Sequence, residues 1–181
     1  MATMKLPKPT LLLTCEQGGD CKVGDKGPGG GTVFYDAGSR QSWGRYLEAA
    51  APRWSGSWFD PANLWCRDGY PGLDNVQTSS AIGAGSVNTQ RIITECGYQN
   101  AASVARDYRG GGKSDWYLPS KDELHALYLA KSIAQVPDDD YWSSTQASFS
   151  NRWVWIEFFD YGTQTENDKR LYKAIRPIRA F

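Results

Sequence analysis

The sequence predicts an α+β domain, and three observations predict it. Strand-like runs lie toward both ends of the chain, and helical periodicity occupies the middle. Glycine, proline and aromatic residues are spread throughout, with no linker-like or repetitive stretch between them. A chain of 181 residues suits one domain, large enough to hold a core without a structural metal.

Composition narrows the classes further. Nineteen glycines and an aromatic content of 13%, including eight tryptophans, exclude disorder and coiled coil together. Lys plus Arg (20) balance Asp plus Glu (20), so no chain-wide basic field exists for nucleic acid. No apolar run approaches the ~18–20 residues that cross a bilayer, so membrane insertion is not expected. Leu11-Leu12-Leu13 is too short for the core of a signal peptide, and Met1-Ala2-Thr3 reads as an added start that replaces a natural leader.

Residues 1–22 read as an N-terminal tail or edge segment, and residues 23–181 as the domain. The run Gly24-Asp25-Lys26-Gly27-Pro28-Gly29-Gly30-Gly31 has the glycine density of a phosphate cradle. It lacks the Gly-Lys-Ser/Thr entry into a helix and runs instead into the strand Thr32-Val33-Phe34-Tyr35, so it reads as a tight turn. Tyr46-Leu47-Glu48-Ala49-Ala50 is a second short strand. Residues 52–87 form a long irregular region containing Trp54, Trp58, Phe59 and Trp65, either functional or packed on its own aromatics.

Asn88 reads as an N-cap, followed by Ile92, Ile93 and Cys96 at helical spacing. Asn100 restarts a helix whose Ala101, Val104, Ala105 and Tyr108 face inward. The clearest helix begins at the capping box Ser120-Lys121-Asp122-Glu123, with Leu124, Leu127 and Tyr128 as its buried stripe. From Tyr141 onward the chain is strand-like. Tyr141-Trp142-Ser143-Ser144 is one strand, and Arg152 to Phe159, apolar on both faces, is a second buried on both. Asp160-Tyr161-Gly162 is a hairpin turn, and Leu171 to Arg176 is the last strand, closed by Pro177. The expected sum is two helices and a small, mainly antiparallel sheet with long loops.

Four cysteines, Cys15, Cys21, Cys66 and Cys96, allow three pairings. Four buried thiols and a zinc site are alternatives, but the spacing matches no common zinc motif. Two disulfides, and with them an oxidising compartment, are the expectation. His125 falls one step off the helix stripe, reads as exposed and has no partner cluster. Asp138-Asp139-Asp140 reads as a solvated loop rather than a calcium or acid–base site. With no nucleophile motif and no cofactor fingerprint, neither catalysis, metal nor cofactor is expected.

Several segments together resemble the Lcl C-terminal domain family of bacterial collagen-like adhesins. They are the opening Val23 to Gly31, the strand Tyr46 to Ala50, Ala81-Ile82-Gly83-Ala84-Gly85 with Asn88-Thr89, and Gly110 to Ser120 followed by Asp122-Glu123-Leu124. Tyr141 to Thr145 and the ending Ile175-Arg176-Pro177-Ile178-Arg179-Ala180-Phe181 complete the set. The resemblance covers about residues 23–181. It implies a C-type-lectin-like fold, related to that of formylglycine-generating enzymes and of the variable proteins of diversity-generating retroelements. Some family members also carry cysteines at the positions of Cys66 and Cys96, which implies Cys66–Cys96 and, by the short spacing, Cys15–Cys21. The enzymes need reactive cysteines late in the domain, and none follows Cys96. The calcium-binding triplets of sugar lectins are also missing.

By analogy with the retroelement proteins, residues 141–181 would be the recognition segment. Trp142, Trp155, Phe159 and Gly162 match scaffold positions, and Trp116, Trp142 and Trp155 are expected in the core. Phe149, Arg152, Trp153, Asp160, Tyr161, Asn167 and Tyr172 are then the candidate ligand-binding residues. Trp153 shares strand parity with Trp155, which points it inward too. The resemblance implies an extracellular or cell-surface module for a protein or glycan ligand. Adhesion to sulfated polysaccharide is the alternative. For it, Arg152, Lys169, Arg170, Lys173, Arg176 and Arg179 stand against Glu157, Asp160, Glu166 and Asp168, unless Arg176 and Arg179 pair with buried carboxylates. An enzyme of formylglycine-generating ancestry is a further alternative.

Overall fold

The computed structural model describes residues 12–66 and 75–181. Residues 1–11 of the N-terminal segment and residues 67–74 of the long loop lie outside the described residues. The glycine-rich loop delivers the chain into β1 (Thr32–Gln41), which turns back at Ser42 and Trp43 into β2 (Gly44–Ala49). Gly44 is required there, because φ is +132° and a Cβ would lie 2.7 Å from the Phe181 carbonyl oxygen. The last strand, β8 (Ile178–Ala180), completes a three-stranded sheet in the order β1-β2-β8.

A second sheet holds β3 (Ala62–Leu64), β4 (Asp140–Gln146), β5 (Trp153–Phe158), β6 (Thr163–Asp168) and β7 (Tyr172–Ala174) in the order β3-β7-β4-β5-β6. All its pairings are antiparallel except the short β4–β7 contact. Between the first three strands and β4 come α1 (Gly85–Cys96), α2 (Ala101–Asp107), α3 (Lys121–Leu129) and the single turn α4 (Lys131–Ala134). The α+β class is therefore what the molecule has. Among the described residues it is built with four helices and two sheets rather than two helices and one sheet. The strands that sequence pattern did not show are the short β3, the β8 that follows Pro177, and β6. The last reads Thr-Gln-Thr-Glu-Asn-Asp and has no apolar alternation, because it is an edge strand.

Two helix starts behave as their residues predict. Asn100 accepts from Ser103 N, and Ser103 Oγ accepts from Asn100 N in return. Ser120 Oγ accepts from Glu123 N at 3.3 Å while Glu123 Oε2 accepts from Ser120 N at 2.7 Å. The third start differs. α1 begins at Gly85, and Asn88 lies buried inside it. There the Asn88 side chain accepts from Ser79 N and donates to Ser79 O and Ser144 Oγ, tying the preceding loop and β4 to the helix. Asn88 is thus a tertiary clamp with the composition of a cap.

Two cores follow from this arrangement. One lies between the three-stranded sheet and α3, filled by Phe34, Leu47, Leu124, Leu127, Tyr141, Phe159 and Ile178. The other lies between α1, α2 and the five-stranded sheet, filled by Trp65, Ile92, Leu118, Trp142, Val154, Ile156 and Ile175. Cys66–Cys96 crosses the second core, with a sulfur separation of 2.02 Å, and Cys15–Cys21 closes the N-terminal turn. No thiol is free among the described residues. Trp116 and Trp142 are fully buried, as expected, but β5 is not buried on both faces. Val154 and Ile156 enter the core, whereas Trp155 is half-buried and Trp153 is 39% exposed. The reason is that α3 covers only part of that side of the sheet.

The glycine-rich loop has the geometry of an anion cradle, and the anion is the protein's own. Gly29 N and Gly31 N donate to the fully buried carboxylate of Glu48 at 2.8 and 3.2 Å. A Cβ on Gly29 would lie 2.6 Å from both Glu48 Oε1 and the Trp116 ring. Two predictions result. Ser120→Ala removes the α3 cap and leaves the Ala81 carbonyl without its donor, so denaturant unfolding should show a loss of about 1–2 kcal/mol. Gly29→Ala should cost about 1–3 kcal/mol through overpacking, read as a lowered unfolding midpoint at unchanged slope.

Candidate functional site

The candidate residues separate into three places. At the end of the β5–β6 hairpin that carries the β4–β5 loop (the loop end), Arg152 and Trp153 meet Asp168, which pairs directly across from Trp153, and Phe149 is exposed (71%) in that loop. At the opposite end of the hairpin, Asp160 and Tyr161 form the turn, and Tyr161 stacks on Phe158 at 5.3 Å between ring centres. Tyr172 is exposed on β7, beyond β4 and away from the hairpin. Asn167 pairs with Val154 and so sits on the other hairpin face, its Oδ1 accepting from Asp168 N.

The loop-end cluster is braced by charge. Arg152 Nε donates to Asp168 Oδ2 at 2.7 Å, and Arg170 donates through Nε and a terminal nitrogen to both oxygens of the same carboxylate. The Arg170 hydrogen bond, followed by those of its backbone N–H and of Arg152, holds the Asp168 carboxyl well below the usual range. Two guanidiniums thus converge on one carboxylate beside the exposed Trp153 ring. Next along the same face, the Lys121 ammonium sits 3.5 Å from the centre of the Trp155 ring. Gly162, at φ +71°, lets the Tyr128 ring pack onto the turn, where a Cβ would lie 2.2 Å from the ring edge.

Other candidate groups are committed to structure. Arg179 donates to Glu48 at 2.6 Å and to both oxygens of Asp115 at 2.8 Å each. Arg176 is wholly buried, donates to the Ala50 and Ala51 carbonyls, and lies 2.9 Å from Asp60 Oδ2 through Nε. That last contact is an ion pair with its N–H angled off the oxygen, so Nε makes no formal hydrogen bond. Asp60 also accepts from Tyr141 and from Trp54, which pins the irregular loop. Trp58 stays exposed, with the Arg53 guanidinium 3.1 Å over its ring. Within the Asp138-Asp139-Asp140 run, Asp138 pairs with Lys131 and Asp140 with Lys173. No cluster of metal-ligating side chains occurs among the described residues.

His125 is the residue that sequence reasoning placed without a partner. Its Nδ1 lies 2.8 Å from Oε1 of Glu157, a fully buried carboxylate on β5 that also accepts from Gln164. No local pattern marks this pair, since 32 residues separate the two. Burial raises the Glu157 carboxyl above its ordinary value of 4.5, and His125 opposes that shift. A carboxyl raised in the folded state stabilises below the unfolded value, and that stability is lost as pH rises through the folded value. His125→Ala removes the opposing partner and raises Glu157 further. Its stability should fall more steeply than the parent's from mildly acidic to neutral pH, as thermal melts across that range would show; parallel curves would count against the pairing.

Among curated proteins no similar sequence is found. The family profile of the Lcl C-terminal domain matches residues 48–179, a stretch that runs from Glu48 to Arg179 and includes α3 and the β5–β6 hairpin. That match covers well over half of the chain, which therefore belongs to the Lcl C-terminal domain family.

Proposed function

We propose that the domain is a non-catalytic ligand-binding module displayed outside the cell on a C-type-lectin-like scaffold. Its recognition surface is the loop end of the β5–β6 hairpin. The observation that carries this reading is that Trp153 stays exposed across from Asp168, on which two guanidiniums are fixed, with Phe149 exposed in the adjoining loop. Aromatic and arginine side chains on a braced support lose little freedom on binding and supply most hot spots. Family membership favours an adhesin-like or surface role. Two disulfides suit an oxidising compartment, and no helix among the described residues is long and apolar enough to cross a membrane. All four cysteines are bonded, so none supplies the thiol that formylglycine-type chemistry requires.

The same arrangement suits a diversified receptor. Phe149, Arg152 and Trp153 are exposed and fill neither core, so exchange at these positions leaves the scaffold's packing in place. A folded protein is the favoured partner class.

Sulfated polysaccharide is the second reading, and its basic carrier moves. Lys173, Arg176 and Arg179 are engaged by Asp140, Asp60, Glu48 and Asp115. Arg106 and Arg109 on the α2 side donate only to Gln90 and to backbone carbonyls, with no carboxylate partner among the described residues.

A screen against immobilised extracellular proteins and heparin separates the two readings. Trp153→Ala should cost about 2 kcal/mol of binding to a protein ligand, about thirtyfold in Kd, at nearly unchanged melting temperature. Heparin binding that is abolished by modest salt and by Arg106→Ala with Arg109→Ala, but not by Trp153→Ala, would overturn the hairpin reading.

A further inference from the structure

A cleft of about 400 Å³ lies where four segments distant in sequence meet. The β1–β2 turn supplies Ser42 and Trp43, the start of α1 supplies Gly83 and Ser86, the approach to α3 supplies Asp115 and Tyr117, and β8 forms the remaining edge. None of these residues belongs to the hairpin surface.

Trp43 is a fixed wall of this cleft. Gly83, at φ +90°, backs the indole so closely that a Cβ there would lie 2.0–2.5 Å from three of its ring atoms. Tyr35 packs near it, with ring centres 6.4 Å apart. The indole is half-buried by these contacts and still borders the cleft. Asp115 is a fixed acceptor. Arg179 holds both of its oxygens at 2.8 Å, yet the side chain remains 55% exposed. A carboxylate offers about four lone-pair directions, so each oxygen keeps one for a ligand. Ser42 and Ser86 add two exposed hydroxyls that can donate or accept. Tyr117 contributes shape alone, because its hydroxyl donates to Glu123.

We infer that this cleft binds one uncharged sugar ring, stacked on Trp43 and hydrogen-bonded through adjacent hydroxyls to Asp115, Ser42 and Ser86. An indole face is electron-rich, and the C–H face of a pyranose presents the complementary partial positive charge. Vicinal hydroxyls match a carboxylate that retains acceptor capacity. Arg179 in contact and Lys113 nearby already balance the Asp115 charge, so a neutral donor fits better than an ammonium group. A sulfate or carboxylate on the ligand has no proton to donate to the Asp115 oxygens, which can only accept. The volume is at the small end for ligand pockets, which selects a single ring over a longer chain.

The test is titration of the isotope-labelled protein with methyl glycosides of glucose, galactose, mannose and N-acetylglucosamine, followed by amide and indole NMR shifts. At least one glycoside should give saturable, millimolar shifts centred on the Trp43 indole and on Ser42 and Ser86, unchanged at high salt. Trp43→Ala should abolish them. Ser86→Ala, a surface change with no packing consequence, should weaken binding about tenfold at unchanged melting temperature and so keeps the test sound if Trp43→Ala unfolds. Trp153→Ala should leave the titration unaltered, which separates this site from the hairpin surface. No saturable shift with any of the four glycosides, shifts suppressed by salt, or binding that survives both cleft substitutions would overturn the inference.

Discussion

The fold depends on one guanidinium. Arg179, two residues before the end of the described chain, reaches from β8 to Glu48 on β2 and to Asp115 on the approach to α3. Glu48 in turn collects the amide groups of Gly29 and Gly31. A carboxylate without solvent needs this many donors, because an unpaired buried charge costs far more than any single contact returns. The glycine-rich loop, Trp116, the first sheet and the entrance to α3 are therefore assembled around one charge. The glycines are small because the Glu48 carboxylate and the Trp116 ring lie where side chains would be.

Arg176 does the corresponding work at the second sheet. It joins the Ala50 and Ala51 carbonyls to Asp60, and Asp60 joins Tyr141 on β4 to Trp54 in the irregular loop. Pro177 lies between the two arginines, at the step where the chain leaves one sheet for the other. The two residues thus clamp both sheets from a single short segment. This use of charge has a functional consequence. Arg176 and Arg179, which look available for an acidic ligand in a linear sequence, are consumed inside.

The hairpin shows where local pattern stops being informative. Alternation places Trp153 and Trp155 on one face, and that is what the structure has. Whether that face is covered depends on how far α3 extends over the sheet, which no spacing within β5 encodes. Lys121 and His125 project from α3 onto Trp155 and Glu157, and the cover ends before Trp153. Exposure of Trp153, on which the candidate surface rests, is thus a property of helix placement.

The α+β class, the family and the helix starts at Asn100 and Ser120 were legible in the sequence, because strand and helix patterning, family motifs and caps are written in neighbouring residues. The Cys66–Cys96 pairing, 30 residues apart, was implied by the family resemblance. The sequence also marked the Asp160-Tyr161-Gly162 turn and the burial of Trp116 and Trp142. Only the tertiary structure decided the division into two sheets, the polar edge strand β6 and the role of Asn88. It also decided the split of the candidate residues among both hairpin ends and β7, and the pairing of His125 with Glu157. The partners in those cases lie tens of residues apart, and whether a side chain ends as clamp, core or surface is set by what packs against it.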